Sequence, residues 1–389
     1  MNRSRLSFLL LSIAVLLPLV AGAVLARGDE GDEDSLFKYL SVFQDVLRLV
    51  RQAYVEDVSV DQLMEGALEG AGDALDDFTT YVPASEVEAY RRVLATGDRH
   101  SGVAVAKDRG VVYVVSVTPG SPAAAVGLER GDVLTAIGGE STRTMPLWRA
   151  QSILAGEPGQ KIGISLLRDG VAEEAELTLA TFEPPLVNVT EHDGVAVVEI
   201  AVLGEGTDGA LRSALETLTA AGAPQGLLID LRETVSANVE AAYQVARYFA
   251  AGDLGTLSSR HGVIRTFLAD GEPIWRGDLV VLLGRGTIGA AEVLTSVLQQ
   301  AAGATVVGQP SYGYAGRTTL RPLSNGAHVL MTDAFYSGPG GEPIRQSLMP
   351  DVEVGDRSRT YAEKDLALDE LTLRRAVEVL RDEALRDAA

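Results

Sequence analysis

The sequence predicts a multidomain α/β protein, with a mainly β module inserted between an amino-terminal helical segment and an α/β carboxyl-terminal half. Three observations carry this expectation. Beyond residue 185, short apolar runs at 195–200, 226–231, 279–283 and 305–307 alternate with helix-patterned runs at 209–221, 238–250 and 290–302. That alternation marks a sheet covered on both faces. Between residues 100 and 167, β-rich runs are separated by turns containing Gly and Pro. The length of 389 residues, 46% of them hydrophobic, suits two or three domains with real cores.

The elements follow in chain order. Arg3 and Arg5 precede an apolar run over residues 6–26, a basic flank on a segment long enough to cross a bilayer, which takes about 20 residues. Ala21-Gly22-Ala23 and Val24-Leu25-Ala26 offer small residues for cleavage. Residues 1–27 therefore read as a signal peptide or a single transmembrane anchor, and the length of the run favours the anchor. Either reading exports the remainder to the periplasm or the extracytoplasmic face of the membrane. Residues 28–34 form an acidic spacer without calcium-loop spacing. Residues 35–97 form a helical lead-in. Ser35 caps a first helix with Leu36, Leu40, Phe43, Leu47, Val50 and Tyr54 at three- and four-residue intervals. A second helix spans 60–74, and Tyr81-Val82-Pro83 leads into a third through Tyr90. The β module covers 98–182, with strands at 103–106, 111–117, 133–137 and 162–167 and one helix at 145–155. A linker at 181–185 opens the α/β domain, 183–359, which closes with a strand near 329–332. A carboxyl-terminal helix occupies 360–389.

Composition narrows the chemistry. Cysteine is absent, which excludes disulfides, thiolate metal sites and a cysteine nucleophile. Lys plus Arg number 33 against 54 Asp plus Glu, a net charge of −21 that repels nucleic acid. The histidines His100, His192, His261 and His328 lack metal-ligand spacing, and no cofactor motif is present, so neither a metal nor a cofactor is expected.

The run from Val117-Thr118-Pro119-Gly120 through Gly127-Leu128-Glu129-Arg130-Gly131-Asp132 resembles a PDZ domain, with Gly159-Gln160-Lys161-Ile162 and Arg168 fitting its closing strand. The resemblance implies capture of protein or peptide carboxyl termini by strand addition. Gly102, Val103, Ala104 and Val105 would form the binding loop, facing the 145–155 helix. Ala104 stands where the resemblance expects a second glycine. A purely structural module that regulates its neighbour is the alternative.

The order of helical lead-in, PDZ-like module and α/β domain resembles the carboxyl-terminal processing peptidases, or tail-specific serine proteases. Leu75-Asp76-Asp77-Phe78-Thr79-Thr80-Tyr81, Gly226-Leu227-Leu228-Ile229-Asp230-Leu231-Arg232, Val307-Gly308-Gln309-Pro310-Ser311-Tyr312-Gly313 and Met349-Pro350-Asp351-Val352 carry the resemblance. It implies a crotonase-like peptidase domain, a serine nucleophile, a lysine general base and, through the lead-in, a homodimer. The side chains for that chemistry are replaced. Gly289, within Gly286-Thr287-Ile288-Gly289-Ala290-Ala291-Glu292, stands at the nucleophile position. Tyr314 stands at the base, Thr318 at the supporting glutamine, and Glu233-Thr234-Val235-Ser236-Ala237 replaces the glycine-rich oxyanion loop. No lysine lies between Lys161 and Lys364. The expected function is therefore a catalytically inactive, exported, peptide-binding scaffold or regulator. An active peptidase with an unusual nucleophile such as Thr287, or a vacated cleft holding a small hydrophobic ligand, are the alternatives.

Overall fold

The computed structural model describes residues 30–387 apart from 77, 97–99, 109, 184, 222–225, 356–357, 359–362 and 364–365. The address segment expected at 1–27 lies outside the described residues. Among those described, no helix is long and apolar enough to cross a membrane. The chain divides into two units after Leu68.

In the first unit, α1 (Glu30–Ala53) begins five residues ahead of the Ser35 cap that the sequence suggested, so 30–34 are helical rather than a free spacer. Acidic residues suit a first helical turn, where unpaired N–H groups carry partial positive charge. Phe37, Tyr39, Leu49 and Tyr54 are exposed on it. The helix α2 (Val60–Asp73) follows.

The division falls within α2, and the second unit continues with a strand that the sequence reading did not assign, β1 (Thr80–Val82), followed by α3 (Val87–Thr96). The PDZ-like module comprises β2 (Val103–Asp108), β3 (Val111–Val117), α4 (Pro122–Ala125), β4 (Val133–Ile137), β5 (Glu140–Ser141), α5 (Leu147–Leu154), β6 (Lys161–Arg168) and β7 (Val171–Thr178). Its sheet runs β2-β3-β4-β6-β7, with β5 hairpinned onto β4, which leaves β2 on an edge. The Gly-Asp turn has a mechanical role. Arg168 Nε and Nη2 each donate to the buried Asp132 carboxylate at 2.7 Å, and the Glu129 amide adds a bond of 2.8 Å, fastening the turn to the closing strand.

The α/β domain then adds β8 (Val187–His192), β9 (Val195–Ile200), α6 (Thr207–Ala220), β10 (Gly226–Asp230), β11 (Val235–Ser236), α7 (Val239–Ala246), β12 (Gly252–Ser259) and β13 (Gly262–Ala269). It closes with β14 (Asp278–Leu283), β15 (Ile288–Gly289), α8 (Ala290–Ala301), β16 (Thr305–Gly308), β17 (Gly316–Pro322), β18 (His328–Tyr336), β19 (Val352–Glu353) and α9 (Leu368–Asp387). The central sheet has the order β19-β16-β14-β10-β9-β8 and is parallel except for β8. Alternate residues of its strands serve two cores. Val198, Leu227, Ile229 and Val281 meet α6, α7 and α8, whereas Val197, Leu228, Val280 and Leu282 meet Leu371, Val377 and Leu380 of α9. Burial on both faces explains why these strands read as unbroken apolar runs. A second, antiparallel sheet orders β1-β18-β12-β13, with β17 also on β18. The lead-in thus contributes a strand to the peptidase-like domain.

Candidate functional site

The site is assembled where β15 turns into α8. Gly289, at this junction, has φ 67° and ψ −110°, a conformation that costs little only for glycine. The two-residue β15 pairs in parallel with β11, with Ser236 opposite Gly289. A Cβ built on Gly289 would lie 2.5 Å from the Ser236 carbonyl oxygen, inside any tolerable contact. A carbonyl, not an N–H donor, therefore faces the position from which a nucleophile would project. The 233–237 loop is tied down in this shape. Thr234 Oγ1 donates to the Ile200 carbonyl at 2.5 Å, Ser236 Oγ donates to that of Leu203 at 2.6 Å, and the Ile288 amide donates to the Thr234 carbonyl at 3.1 Å.

Tyr314 lies beside this turn. Its ring stacks on Phe78 with centroids 3.8 Å apart and meets Phe335 edge-on at 5.9 Å, and its hydroxyl bonds Thr332 Oγ1. Thr318 on β17 pairs with Thr332 on β18, so Tyr314 and Thr318 converge on one threonine. Burial pushes the Tyr314 phenol above its ordinary value, with the Thr332 hydrogen bond acting in the other direction. A phenol so held stays protonated at neutral pH and cannot take a proton from a substrate or water.

Glu292 organises both loops. Fully buried, it accepts from the Gly289 amide at 3.0 Å, the Tyr314 amide at 2.9 Å, the Gly313 amide at 2.6 Å and Ser311 Oγ at 2.5 Å. Burial pushes its carboxyl up, and these four donors oppose that shift. One carboxylate thus fixes the spacing between the nucleophile and base positions.

The PDZ-like module lies against this remnant. Ala106, Val115 and Tyr113 of β2 and β3 pack on Ile288, Val235 and Tyr312, and the Tyr312 hydroxyl donates to the Lys107 carbonyl at 3.0 Å. Its peptide groove is a cavity of about 230 Å³ lined by Val103, Ala104 and Val105 of β2 and Gln151 and Leu154 of α5. Val235, Ser236 and Ala237 form its far wall. Gly102 sits at the head of β2 with φ 71°, and a Cβ there would meet Ser121 Cβ at 2.1 Å and Phe182 at 2.8 Å. Close packing therefore demands this glycine.

Comparison with known proteins agrees with this architecture. Residues 194–354 match Peptidase family S41 and residues 113–168 match the PDZ domain. The carboxyl-terminal-processing protease of Picosynechococcus sp. is 28% identical over 419 aligned residues, covering 97% of this chain and 98% of the relative. The carboxy-terminal processing protease CtpA of Bacillus subtilis is 24% identical, over 85% of this chain and 72% of its own. A solved photosystem II D1 C-terminal processing protease superposes with a TM-score of 0.65 at 25% identity, covering 86% of this chain and 95% of that one.

The chain belongs to the carboxyl-terminal processing peptidase family. In this member, Gly289, Tyr314 and Thr318 converge on Glu292 and Thr332, while Val103, Ala104 and Val105 line the adjoining groove. Two nearby hydroxyls are already engaged. Thr287 is fully buried, donating to the Leu231 carbonyl at 2.8 Å and accepting from the Gly284 amide at 3.0 Å. Ser311 is buried between Glu292 and the Leu348 amide. His261 lies exposed in the β12–β13 turn. His328 sits four residues from Thr332 on β18, about 13 Å along an extended strand. The ring of Phe78, Thr332 and the Ser236 carbonyl escaped the sequence reading. Phe78 lay within a family motif, but nothing local announced that it would stack on Tyr314.

Proposed function

We propose that this member of the family is an exported, catalytically inactive peptide-binding protein whose PDZ module captures protein carboxyl termini. The observation that carries the proposal is the Ser236 carbonyl 2.5 Å from where a Gly289 side chain would begin. Gly289 itself carries no side-chain oxygen, and this carbonyl leaves no room for one and presents an acceptor where an oxyanion hole needs donors, which supports the inactive reading. Tyr314 in place of a base supports the same reading. The edge strand β2, with an apolar groove against α5, supports peptide capture. The basic and apolar 1–27 segment supports export, as signal peptide or anchor, and the exposed Phe37, Tyr39 and Leu49 of α1 support self-association as a homodimer.

The test uses purified chain with a serine-reactive phosphonate and an unfolded protein substrate. No covalent adduct and no products over long incubation are expected, whereas peptides ending in an apolar residue with a free carboxylate bind. Amidating those peptides is expected to weaken binding tenfold or more, since the backbone donors of the loop lose their charged acceptor. Equal binding of free and amidated peptides would remove the carboxyl-terminal part of the reading, and cleavage would remove the inactive part.

A further inference from the structure

Beside Tyr314 lies a second cleft of about 640 Å³, which shares no lining residue with the PDZ groove. Its walls include Tyr113, Arg285, Tyr312, Tyr314, Arg345 and Ser347. Two of its side chains are out of keeping with the rest of the molecule. This chain has 54 acidic against 33 basic residues, and its arginines commonly sit in ion pairs. Arg149 meets Glu86 and Glu140, Arg168 meets Asp132, and Arg317 and Arg321 share Asp333. Arg285 and Arg345 have no carboxylate within 4.0 Å among the described residues. The nearby acid of the cleft, Asp76, is already occupied by its own turn. It accepts from the Phe78 amide at 2.9 Å, the Thr79 amide at 2.6 Å and Thr79 Oγ1 at 3.0 Å.

Both guanidinium groups have positions set by the fold. Arg345 lies over the Phe335 ring at 4.7 Å, a cation–π contact that leaves its N–H edge free. Arg285 is carried on the 284–287 turn, which Thr287 pins through two buried hydrogen bonds. The cleft floor is the 310–314 backbone, held by Glu292.

We propose that this cleft binds the carboxylates of an acidic peptide segment, read by Arg285 and Arg345 and packed against the tyrosine walls. The proposal deepens the peptide-binding reading and rests on it, since it takes the occupant of the cleft to be a polypeptide. Planar guanidinium groups match carboxylates in a two-pronged geometry. The overall charge of −21 repels such a segment at a distance. At physiological ionic strength that repulsion is screened over about 8 Å, leaving the local pair to decide. The carboxylates could belong to acidic side chains or to a chain end.

The experiment measures fluorescence anisotropy of labelled ten-residue peptides on the full chain at 0.15 M salt. One peptide carries four glutamates and an amidated end, a second is its glutamine isostere, and a third is neutral with a free carboxylate. The glutamate peptide is expected to bind at least tenfold more tightly than the glutamine one, with the preference shrinking as salt rises. The double variant Arg285→Gln, Arg345→Gln is expected to lose the preference, and Arg285→Lys, Arg345→Lys to keep most of it. Loss of affinity for the third peptide in the Gln variant would identify a chain end as a further source of the carboxylate. Equal affinities of the parent for the first two peptides would overturn the proposal without any variant. So would a preference that survives in the Gln variant. Mass spectrometry of the same mixtures reads cleavage separately, so a failure of the inactive reading is distinguished from a failure of this one.

Discussion

At Gly289 the proposed loss of catalysis rests on more than a missing hydroxyl. Any side chain there is strained by a φ of 67° and meets the Ser236 carbonyl, so Gly289→Ser with Tyr314→Lys is expected to remain inactive in a peptide-cleavage assay. The turnover of a serine peptidase from that pair alone would contradict the steric argument. Asp132 provides a residue of the opposite kind, kept for stability. Burial pushes its carboxyl up, but the Arg168 guanidinium and the Glu129 amide hold it below the ordinary carboxylate range. For an acid with a lowered folded-state pKa, the stabilisation is complete above the unfolded value of about 3.9 and is lost as pH falls through the folded value. Asp132→Asn is therefore expected to cost about 2–3 kcal/mol in urea unfolding at pH 7. The gap from the parent should close as pH falls through the lowered folded-state value.

At the scale of elements, the 233–237 loop and the 286–292 turn are held as one unit. The β11–β15 ladder couples Ser236 to Gly289, and the Ser236 hydroxyl bond to Leu203 keeps its carbonyl turned toward the elbow. Replacing 233–237 by a glycine-rich loop in the Gly289→Ser, Tyr314→Lys background is expected to yield a phosphonate-reactive serine where the double variant alone does not. Absence of labelling in the combined variant would place the defect elsewhere, with Phe78 stacked on position 314 the next constraint to relieve. Element identity itself was partly legible. The strands of the central sheet were clear because burial on both faces writes an unbroken apolar run. The strand β7 was not: Ala172-Glu173-Glu174-Ala175-Glu176 favours a helix locally, yet all eight residues pair in register with β6. Tertiary pairing overrides weak local preference. The β12–β13 hairpin and β17 also went unassigned, their identity being set by pairing across a turn, β13 on β12 and β17 on β18.

At the scale of the whole second unit, the PDZ module is fixed against the Gly289 turn and the 233–237 loop by several independent contacts. Besides the Ala106, Val115 and Ile288 cluster, Arg130 pairs with Glu233 of the loop at 3.2 Å and hydrogen-bonds Asp369 of α9 at 2.5 Å. Placing a charge in that cluster, as in Val115→Asp, is expected to loosen the module. Amide hydrogen exchange at 234–237 and 287–289 should then rise at least tenfold, while exchange in β10 and β14 stays unchanged. Unchanged exchange at the elbow would mean that the loop holds its shape without the module. The same cover explains why the groove and the remnant share a wall at Val235, Ser236 and Ala237.

The amino-acid order already carried the fold class and the PDZ-like insertion, and it set Gly289, Tyr314 and Thr318 as the residues on which the inactive reading rests. These depend on local pattern and residue identity, which a chain displays without folding. Other features exist only once distant segments meet. The Ser236 carbonyl against Gly289, the Phe78 ring on Tyr314, Glu292 joining two loops and the meeting of Arg285 and Arg345 in one cleft are all of this kind. Each is a distance between residues separated by tens to hundreds of positions. Such distances are set by sheet register and core packing, not by local propensity.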